Sequence, residues 1–268
     1  NSALKYPDKL AVADEEGVGL FVGVFLGIAA IKFKVEVDER EAAVLEALPG
    51  NNCGGCGFPG CSGLAAAIAK GEAPVNACPV GGEPVGKVIA GIMGVTAEEK
   101  KRMVAFVQCQ GDCDKTSSDY EYTGIHDCRM LSFVPNGGAK SCNYGCLGYG
   151  SCVSVCPFDA IHVVNGVAKV DKEACKACGK CVEVCPKHLI SLIPYDAKYA
   201  VACSSQDKGP VAMKDCTVSC IGCQLCKKNC PAEAVSVENF NATILYDQCK
   251  GCGICAQKCP RKSIVAHE

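Results

Sequence analysis

The chain has 268 residues, which is enough for two or three small domains. It contains 25 cysteines and no tryptophan, and its formal net charge is −2, so there is no bulk electrostatic case for binding nucleic acid. The cysteines are odd in number and closely spaced, which argues against a disulfide framework and favours metal ligation in a reducing compartment.

An uncharged apolar stretch covers residues 17–31 and is followed by Lys32 and Lys34. As a helix it would span about 22 Å, which is short of a hydrocarbon core of about 30 Å. Extension back to Leu10 reaches spanning length but carries acidic residues at one end. We predict a single-pass membrane anchor, with the following domains on the cytoplasmic side because of the two lysines. The alternative is a buried helix of a soluble protein.

A glycine-rich loop with four cysteines follows the anchor. Residues 35–48 have the pattern of an amphipathic helix, with Asp38 and Glu41 as a capping box. An alanine-rich helix is predicted over residues 62–70, and it returns the chain towards the last cysteine. The glycines allow positive φ, so that backbone N–H groups can face cluster sulfur. We expect one [4Fe–4S] cluster here, held by Cys53, Cys56, Cys61 and Cys78.

The connector that comes next is irregular. Short helices are predicted over residues 84–94 and 96–103, and a strand over residues 104–108. The polar residues 114–124 are predicted to form a surface loop.

The C-terminal half is an internal duplication. The cysteines from Cys142 to Cys185 recur from Cys216 to Cys259 at a constant offset (216 − 142 = 74 and 259 − 185 = 74). The second copy has two cysteine runs with the spacing of bacterial two-cluster ferredoxins, in which the cysteine before proline binds the other cluster. We therefore assign one [4Fe–4S] cluster to Cys220, Cys223, Cys226 and Cys259, and the other to Cys249, Cys252, Cys255 and Cys230.

The first copy departs from this pattern at one position. Tyr149 stands where the second copy has Cys223 (223 − 74 = 149), and a tyrosine hydroxyl is a poor iron ligand. We expect Cys142 to supply the missing ligand, and a three-iron cluster is the alternative. The predicted sets are Cys142, Cys146, Cys152 and Cys185 for one cluster, and Cys156, Cys175, Cys178 and Cys181 for the other.

Five cysteines remain after these assignments. Cys216 is the repeat mate of Cys142, and Cys128 and Cys203 nearly obey the repeat (203 − 128 = 75). Four of the five could bind a sixth cluster that joins the two copies, and free buried thiols are the alternative. The remaining cysteines are Cys109, Cys113, Cys128, Cys203 and Cys216.

Zinc is disfavoured as the metal because the four histidines lie in no ligand spacing.

The predicted fold class is α+β, with a transmembrane helix, a small helical four-cysteine domain and two tandem ferredoxin-like modules. A short strand is expected after each Cys-Pro pair, with a hairpin turn at Asn165–Gly166 and another over residues 239–241. Large apolar residues are few, so the clusters themselves should form much of each core. The predicted domain boundaries are 1–34, 35–95, 96–141, 142–200 and 201–268.

No motif for a nicotinamide, a flavin or a nucleotide phosphate is present, and no catalytic constellation stands apart from the cysteines. The chain is therefore predicted to move single electrons and to leave two-electron chemistry to a partner.

These motifs together resemble a known family. The apolar N-terminal stretch, the segment Leu48-Pro-Gly-Asn-Asn-Cys-Gly-Gly-Cys-Gly-Phe-Pro-Gly-Cys61 and the ferredoxin repeats are similar to the B subunit of the Rnf complex, an ion-translocating ferredoxin:NAD⁺ oxidoreductase of bacterial membranes. The likeness covers residues 17–268 and suggests the long polyferredoxin form of anaerobes. Residues 1–16 are more polar than the family's N-terminus. The four-cysteine loop alone also resembles that of corrinoid iron–sulfur proteins.

The resemblance implies an electron-transfer subunit of a multisubunit translocase in the cytoplasmic membrane. Reduced ferredoxin would be the electron donor, membrane subunits that pump Na⁺ or H⁺ would be the acceptors, and NAD⁺ would be reduced on another subunit. Five [4Fe–4S] clusters, or six, would be the cofactors. A soluble polyferredoxin or an iron–sulfur subunit of a cytoplasmic enzyme is the competing hypothesis, and a protein whose clusters only hold the fold is a third.

Overall fold

The structure is a computed structural model that describes residues 19–20, 22–28, 32, 38–97 and 101–267. Within the predicted anchor, residues 19–20 and 22–28 are helical and exposed, and the other positions of that stretch lie outside the described residues. Across the described ranges, no helix has both the length and the apolar character needed to cross a bilayer.

Three helices form the N-terminal domain: α1 (Glu39–Ala47), α2 (Cys61–Ala69) and α3 (Gly82–Met93). The predicted N-cap of α1 is confirmed, because the Asp38 carboxylate accepts the backbone N–H of Arg40 at 2.9 Å. The side chains of Val44, Leu64 and Ile89 are almost fully buried and pack in one core between the helices. This core holds the segment from α1 to α2, which carries Cys53, Cys56 and Cys61, and the segment from α2 to α3, which carries Cys78.

The first ferredoxin module begins with a strand that comes from the connector. Strand β1 (Met103–Val107) pairs antiparallel with β4 (Ile190–Pro194) at the other end of the module. The predicted helix over residues 96–103 is wrong in the described positions, since 96–97 and 101–102 are not helical and Met103 opens β1. The long-range pairing with β4 overrides the local helix signal of this segment.

The rest of the first module contains helix α4 (Ser151–Ser154), the hairpin strands β2 (Ile161–Val164) and β3 (Val167–Val170), and helix α5 (Lys180–Val184). The predicted hairpin turn is confirmed, with Asn165 at φ 48° and Gly166 at φ 75°. Between β1 and α4, the connector forms two short 3₁₀ helices, Cys128–Phe133 and Pro135–Gly137.

The second module repeats this plan. Strand β5 (Tyr199–Val201) pairs with β8 (Ile264–Ala266), just as β1 pairs with β4. Between them lie α6 (Gly209–Asp215), α7 (Leu225–Lys228), β6 (Val235–Glu238), β7 (Asn241–Ile244) and α8 (Ile254–Lys258). The strand that opens each module is therefore part of the repeat, and the duplication extends upstream of the two cysteine blocks.

Candidate metal centres

The four-cysteine loop is held by side-chain and backbone hydrogen bonds at both ends. The Asn52 carboxamide oxygen accepts the backbone N–H of Cys61 at 2.8 Å, and the N–H of Gly81 donates to the Cys78 sulfur at 3.3 Å. Burial, followed by the nearby thiols of Cys61 and Cys53, raises the pKa of Cys78. The structure thus places Cys78 near Cys61 and Cys53.

The members of three of the four ferredoxin-type sets also lie near one another. Burial raises the pKa of Cys181 to about 11, with smaller contributions from Cys175, Cys178 and Cys156. Backbone N–H groups of Ala105 and Ala160 donate to sulfurs of this set, each at 3.4 Å. One cavity is lined by Cys156, Cys175, Cys178 and Cys181, and another by Cys220, Cys223, Cys226 and Cys259. In the last set, burial raises the pKa of Cys255, and the nearby thiols of Cys249, Cys230 and Cys252 raise it further.

The remaining cavity of the first module contains one of the five cysteines that were left over after the predicted assignments. Cys128 lines it, and Cys142 does not. The 3₁₀ helix that begins at Cys128 is held in place because the Cys128 N–H donates to Ser151 Oγ at 2.9 Å, and Ser151 donates to Asp127 at 2.8 Å. Tyr149 stacks on His126 with ring centroids 4.7 Å apart. The cysteines that line this cavity are Cys128, Cys146, Cys152 and Cys185.

Cys142 lies in a cavity between the two modules. The backbone N–H of Cys146 donates to Cys109 Sγ at 3.4 Å, and the N–H of Cys220 donates to Cys203 Sγ at 3.2 Å. Burial raises the pKa of Cys142 to about 11 and that of Cys203 to about 12. Thiol ligands bind metal as thiolates, so metal binding at this cavity would release protons. The cysteines that line it are Cys109, Cys142, Cys203 and Cys216.

Two glycines, Gly111 and Gly145, leave space beside the sulfurs of this central cavity. A Cβ atom on Gly111 would lie 3.3 Å from Cys216 Sγ and 3.8 Å from Cys109 Sγ. A Cβ atom on Gly145 would lie 3.6 Å from Cys142 Sγ. Larger side chains at these glycines would therefore intrude between the sulfurs.

The duplication explains why these cysteines meet. Cys109 follows β1 by two residues, and Cys203 follows β5 by two residues, so these two are structural mates. Cys142 and Cys216 are mates by the constant offset (216 − 142 = 74). Each module thus contributes one equivalent pair of cysteines to the central cavity. The near-repeat of Cys128 and Cys203 does not reflect structural equivalence.

An insertion in the first module accounts for Cys128. Cys109 and Cys142 are 33 positions apart (142 − 109), whereas Cys203 and Cys216 are 13 apart (216 − 203). The extra 20 positions (33 − 13) belong to the connector that carries Cys128. This insertion places a thiol at the cavity where Tyr149 has replaced a cysteine.

Cys113 is the remaining spare cysteine. It is exposed and does not line any of these cavities. Its backbone N–H donates to the carbonyl of Asn165 at 3.0 Å, which attaches the connector to the β2–β3 hairpin.

The donor sets fit iron–sulfur cubanes. Within the part of the chain that the structure describes, no three His, Cys, Asp or Glu side chains are arranged around a single metal ion. A four-iron cubane binds each thiolate through a different iron, so it fits thiols spread around a cavity. Backbone N–H groups donate to the sulfurs of Cys109, Cys175 and Cys203. Hydrogen bonds to the sulfurs of a bound cluster would tune its reduction potential.

Comparison with known proteins agrees with this geometry. A family model described as a putative Fe–S cluster matches residues 48–80. Models described as 4Fe–4S dicluster domains match residues 139–186, 174–235 and 219–264.

The chain is also similar to named proteins. It is 49% identical to the B subunit of the Na⁺-translocating ferredoxin:NAD⁺ oxidoreductase complex of Acetobacterium woodii, over 86% of this chain and 69% of the relative. It is 40% identical to the B subunit of the ion-translocating oxidoreductase complex of Methanosarcina acetivorans, over 87% of this chain and 89% of the relative. This chain belongs to the family of these B subunits.

A third member is similar over nearly the same share of this chain. The B subunit of the proton-translocating ferredoxin:NAD⁺ oxidoreductase complex of Clostridium ljungdahlii is 41% identical over 85% of this chain and 80% of its own length. The predicted family is therefore confirmed. The protein is an iron–sulfur electron-transfer subunit of an ion-translocating oxidoreductase complex.

Proposed function

We propose that this protein accepts electrons from reduced ferredoxin and relays them to the membrane subunits of its complex, with NAD⁺ reduced on another subunit. The relatives' names support this proposal, since two of them are ferredoxin:NAD⁺ oxidoreductase subunits. Iron–sulfur clusters supply reversible one-electron chemistry when bound. The chain's own contribution is to supply the thiolate ligands and to join the segments that carry them.

The proposal assigns six [4Fe–4S] sites. Four use the sets expected from the sequence, and a fifth differs from its expected set by one residue. The change concerns the first module, where Cys128 takes the place expected for Cys142, and the sixth site uses the cysteines of the central cavity. The sets are Cys53, Cys56, Cys61 and Cys78; Cys156, Cys175, Cys178 and Cys181; Cys128, Cys146, Cys152 and Cys185; Cys109, Cys142, Cys203 and Cys216; Cys220, Cys223, Cys226 and Cys259; and Cys230, Cys249, Cys252 and Cys255.

The observation that supports the proposal is that direct contacts join the four-cysteine loop, the first module, the central cavity and the second module. The four-cysteine loop contacts the first module, because a Cβ atom on Gly55 would lie 2.6 Å from the carbonyl oxygen of Cys178. The first module joins the central cavity through the hydrogen bond from Cys146 to Cys109, and the second module joins it through the bond from Cys220 to Cys203. A relay between distant partners requires such continuity.

The proposal includes an orientation. Residues 1–34 would anchor the chain in the cytoplasmic membrane, with the iron–sulfur domains on the cytoplasmic side. The four-cysteine domain of residues 35–95 would then lie nearest the membrane, and the second module of residues 201–268 would face the donor. Residues 96–141 would form the connector, and residues 142–200 would carry most of the first module.

One experiment tests both the donor and the anchor. Cells that produce the full chain, with its partner subunits, should carry it in their membranes, and reduced ferredoxin should bleach its iron–sulfur absorbance. A chain that lacks residues 1–31 should move to the soluble fraction and still be bleached. An intact chain that stays soluble would contradict the anchor, and an intact chain that ferredoxin cannot bleach would contradict the donor.

A further inference from the structure

The two ferredoxin modules have equivalent faces, of which the first module's is covered and the second module's is open. In the first module this face contains Tyr149, at the position that Cys223 holds in the second (223 − 149 = 74). The connector covers it, because Tyr149 stacks on His126 and lies 5.9 Å from the ring of Tyr122. Ser151, two positions further on, is 6% exposed. The chain therefore closes this face of its first module with its own residues.

The second module lacks the connector's insertion, and the face is open. Cys223 is exposed, and Leu225, which corresponds to Ser151 (225 − 151 = 74), is 41% exposed. Phe240 is 45% exposed, and its turn lies directly against the Cys223 loop, since a Cβ atom on Gly222 would be 2.8 Å from Phe240 Cα. Two apolar side chains thus flank a proposed cluster ligand that is open to solvent.

Three exposed lysines are chain neighbours of the cysteines at this open face. Lys227 and Lys228 are exposed in α7, directly after Cys226. Lys258 is exposed in α8, directly before Cys259, which lines the same cavity as Cys223. Glu238, at the end of β6, is an exposed acid near the same turn, and Asp207 is half-buried beside Ser205, so these three exposed lysines outnumber the two acids.

We propose that the open face, defined by Cys223, Leu225, Lys227, Lys228 and Phe240, docks the electron donor, and that this donor is a small acidic protein with an exposed iron–sulfur cluster. This inference rests on the proposed function. An apolar centre with a charged rim is the usual anatomy of a protein interface. The lysines attract the acidic partner and raise the rate of encounter. The exposed Cys223 edge then gives the partner's electron a short path into the second module.

The test is stopped-flow reduction of the full, cluster-loaded chain by an acidic two-cluster ferredoxin. The double variant Lys227→Glu/Lys228→Glu should lower the second-order rate by about tenfold or more at low ionic strength. This difference should shrink at high salt, where the charges are screened. The double variant Leu225→Ala/Phe240→Ala should slow reduction at every salt concentration. Iron content and reduction by dithionite should match the unmodified chain in both variants.

Two control variants make the same change of charge elsewhere. Lys70→Glu/Lys169→Glu alters exposed lysines of the four-cysteine domain and the first module, and it should leave the rate within about twofold of the unmodified chain. Lys198→Glu/Lys250→Glu alters exposed lysines near Cys252, the other exposed ligand of the second module.

The outcomes separate the two proposals. If ferredoxin reduces the unmodified chain and the Lys227/Lys228 variant slows no more than the remote control, the docking face is wrong while the donor stands. The docking face is equally wrong if only the Lys198/Lys250 variant is slow. If ferredoxin cannot reduce even the unmodified chain, the proposed function fails, and the docking inference fails with it.

Discussion

Replacing Cys128 by alanine should convert one cluster of the first module to a three-iron cluster. The structure places Cys128 at the cavity with Cys146 and Cys152, where the repeat has lost a cysteine at Tyr149. A cubane that loses one thiolate ligand readily loses the iron which that ligand held. The measurement is the EPR spectrum of the oxidised protein, in which a three-iron cluster is paramagnetic, together with the iron content.

Pairs of substitutions identify which cysteines share a site. Cys128→Ala combined with Cys146→Ala removes two ligands of one cluster, and it should cost about four iron atoms. Cys142→Ala combined with Cys146→Ala removes one ligand from each of two clusters, and it should cost about two iron atoms and leave two three-iron signals. If the Cys142/Cys146 variant lost about four iron atoms and the Cys128/Cys146 variant about two, Cys142 would instead be a ligand of the first module's cluster. Cys113→Ala is the matched control, and it should cost no iron.

Replacing Gly55 by alanine should weaken the junction between the four-cysteine domain and the first module. The added Cβ atom would lie 2.6 Å from the carbonyl oxygen and 2.8 Å from the Cα of Cys178. Ordinary contacts are about 3.5–4.0 Å, so the two loops must separate by roughly 1 Å. Backbone atoms cannot rotate away, and overpacking of this kind costs about 1–3 kcal/mol.

Two measurements check the Gly55→Ala variant. The midpoint of thermal cluster loss should fall by several degrees, roughly 4–8 °C per kcal/mol for a small domain. The magnetic coupling between reduced clusters on either side of the junction should also weaken, because it declines with distance. An unchanged coupling would show that the two loops do not need this close approach.

Gly91 offers a control in the same domain. It lies in α3, is exposed, and a Cβ atom there would meet nothing within 4 Å. Gly91→Ala should therefore stabilise the domain by about 0.5–1 kcal/mol, since alanine is the better helix former. It should leave the magnetic coupling as it is.

Much of the candidate site could be predicted from local spacing. The x2, x2, x3 runs before proline directly specify which cysteines lie on one short loop and helix, and the structure places Cys220, Cys223 and Cys226 around one cavity. The fourth cysteine at this cavity, Cys259, comes from the other run, as in two-cluster ferredoxins. The hairpin at Asn165–Gly166 was predictable for the same reason, because two adjacent residues determine that turn.

The central cavity could not be predicted so simply, because it depends on long-range pairing. The offset of 75 between Cys128 and Cys203 suggested a repeat, yet the equivalent of Cys203 is Cys109. Only the pairing of β1 with β4 and of β5 with β8 makes this equivalence visible. A signal was present in the sequence. Cys109 and Cys203 each stand two residues after a valine that ends a short apolar run.

The measurement that tests the account most directly is the count of iron and acid-labile sulfide in the chain purified without oxygen. Six cubanes require about 24 atoms of each per chain. A value near 20 that the Cys142→Ala substitution does not lower would mean that Cys109, Cys142, Cys203 and Cys216 hold no cluster, and that the two modules are not joined by one. A chain that contains zinc, or no metal, would contradict the relay altogether.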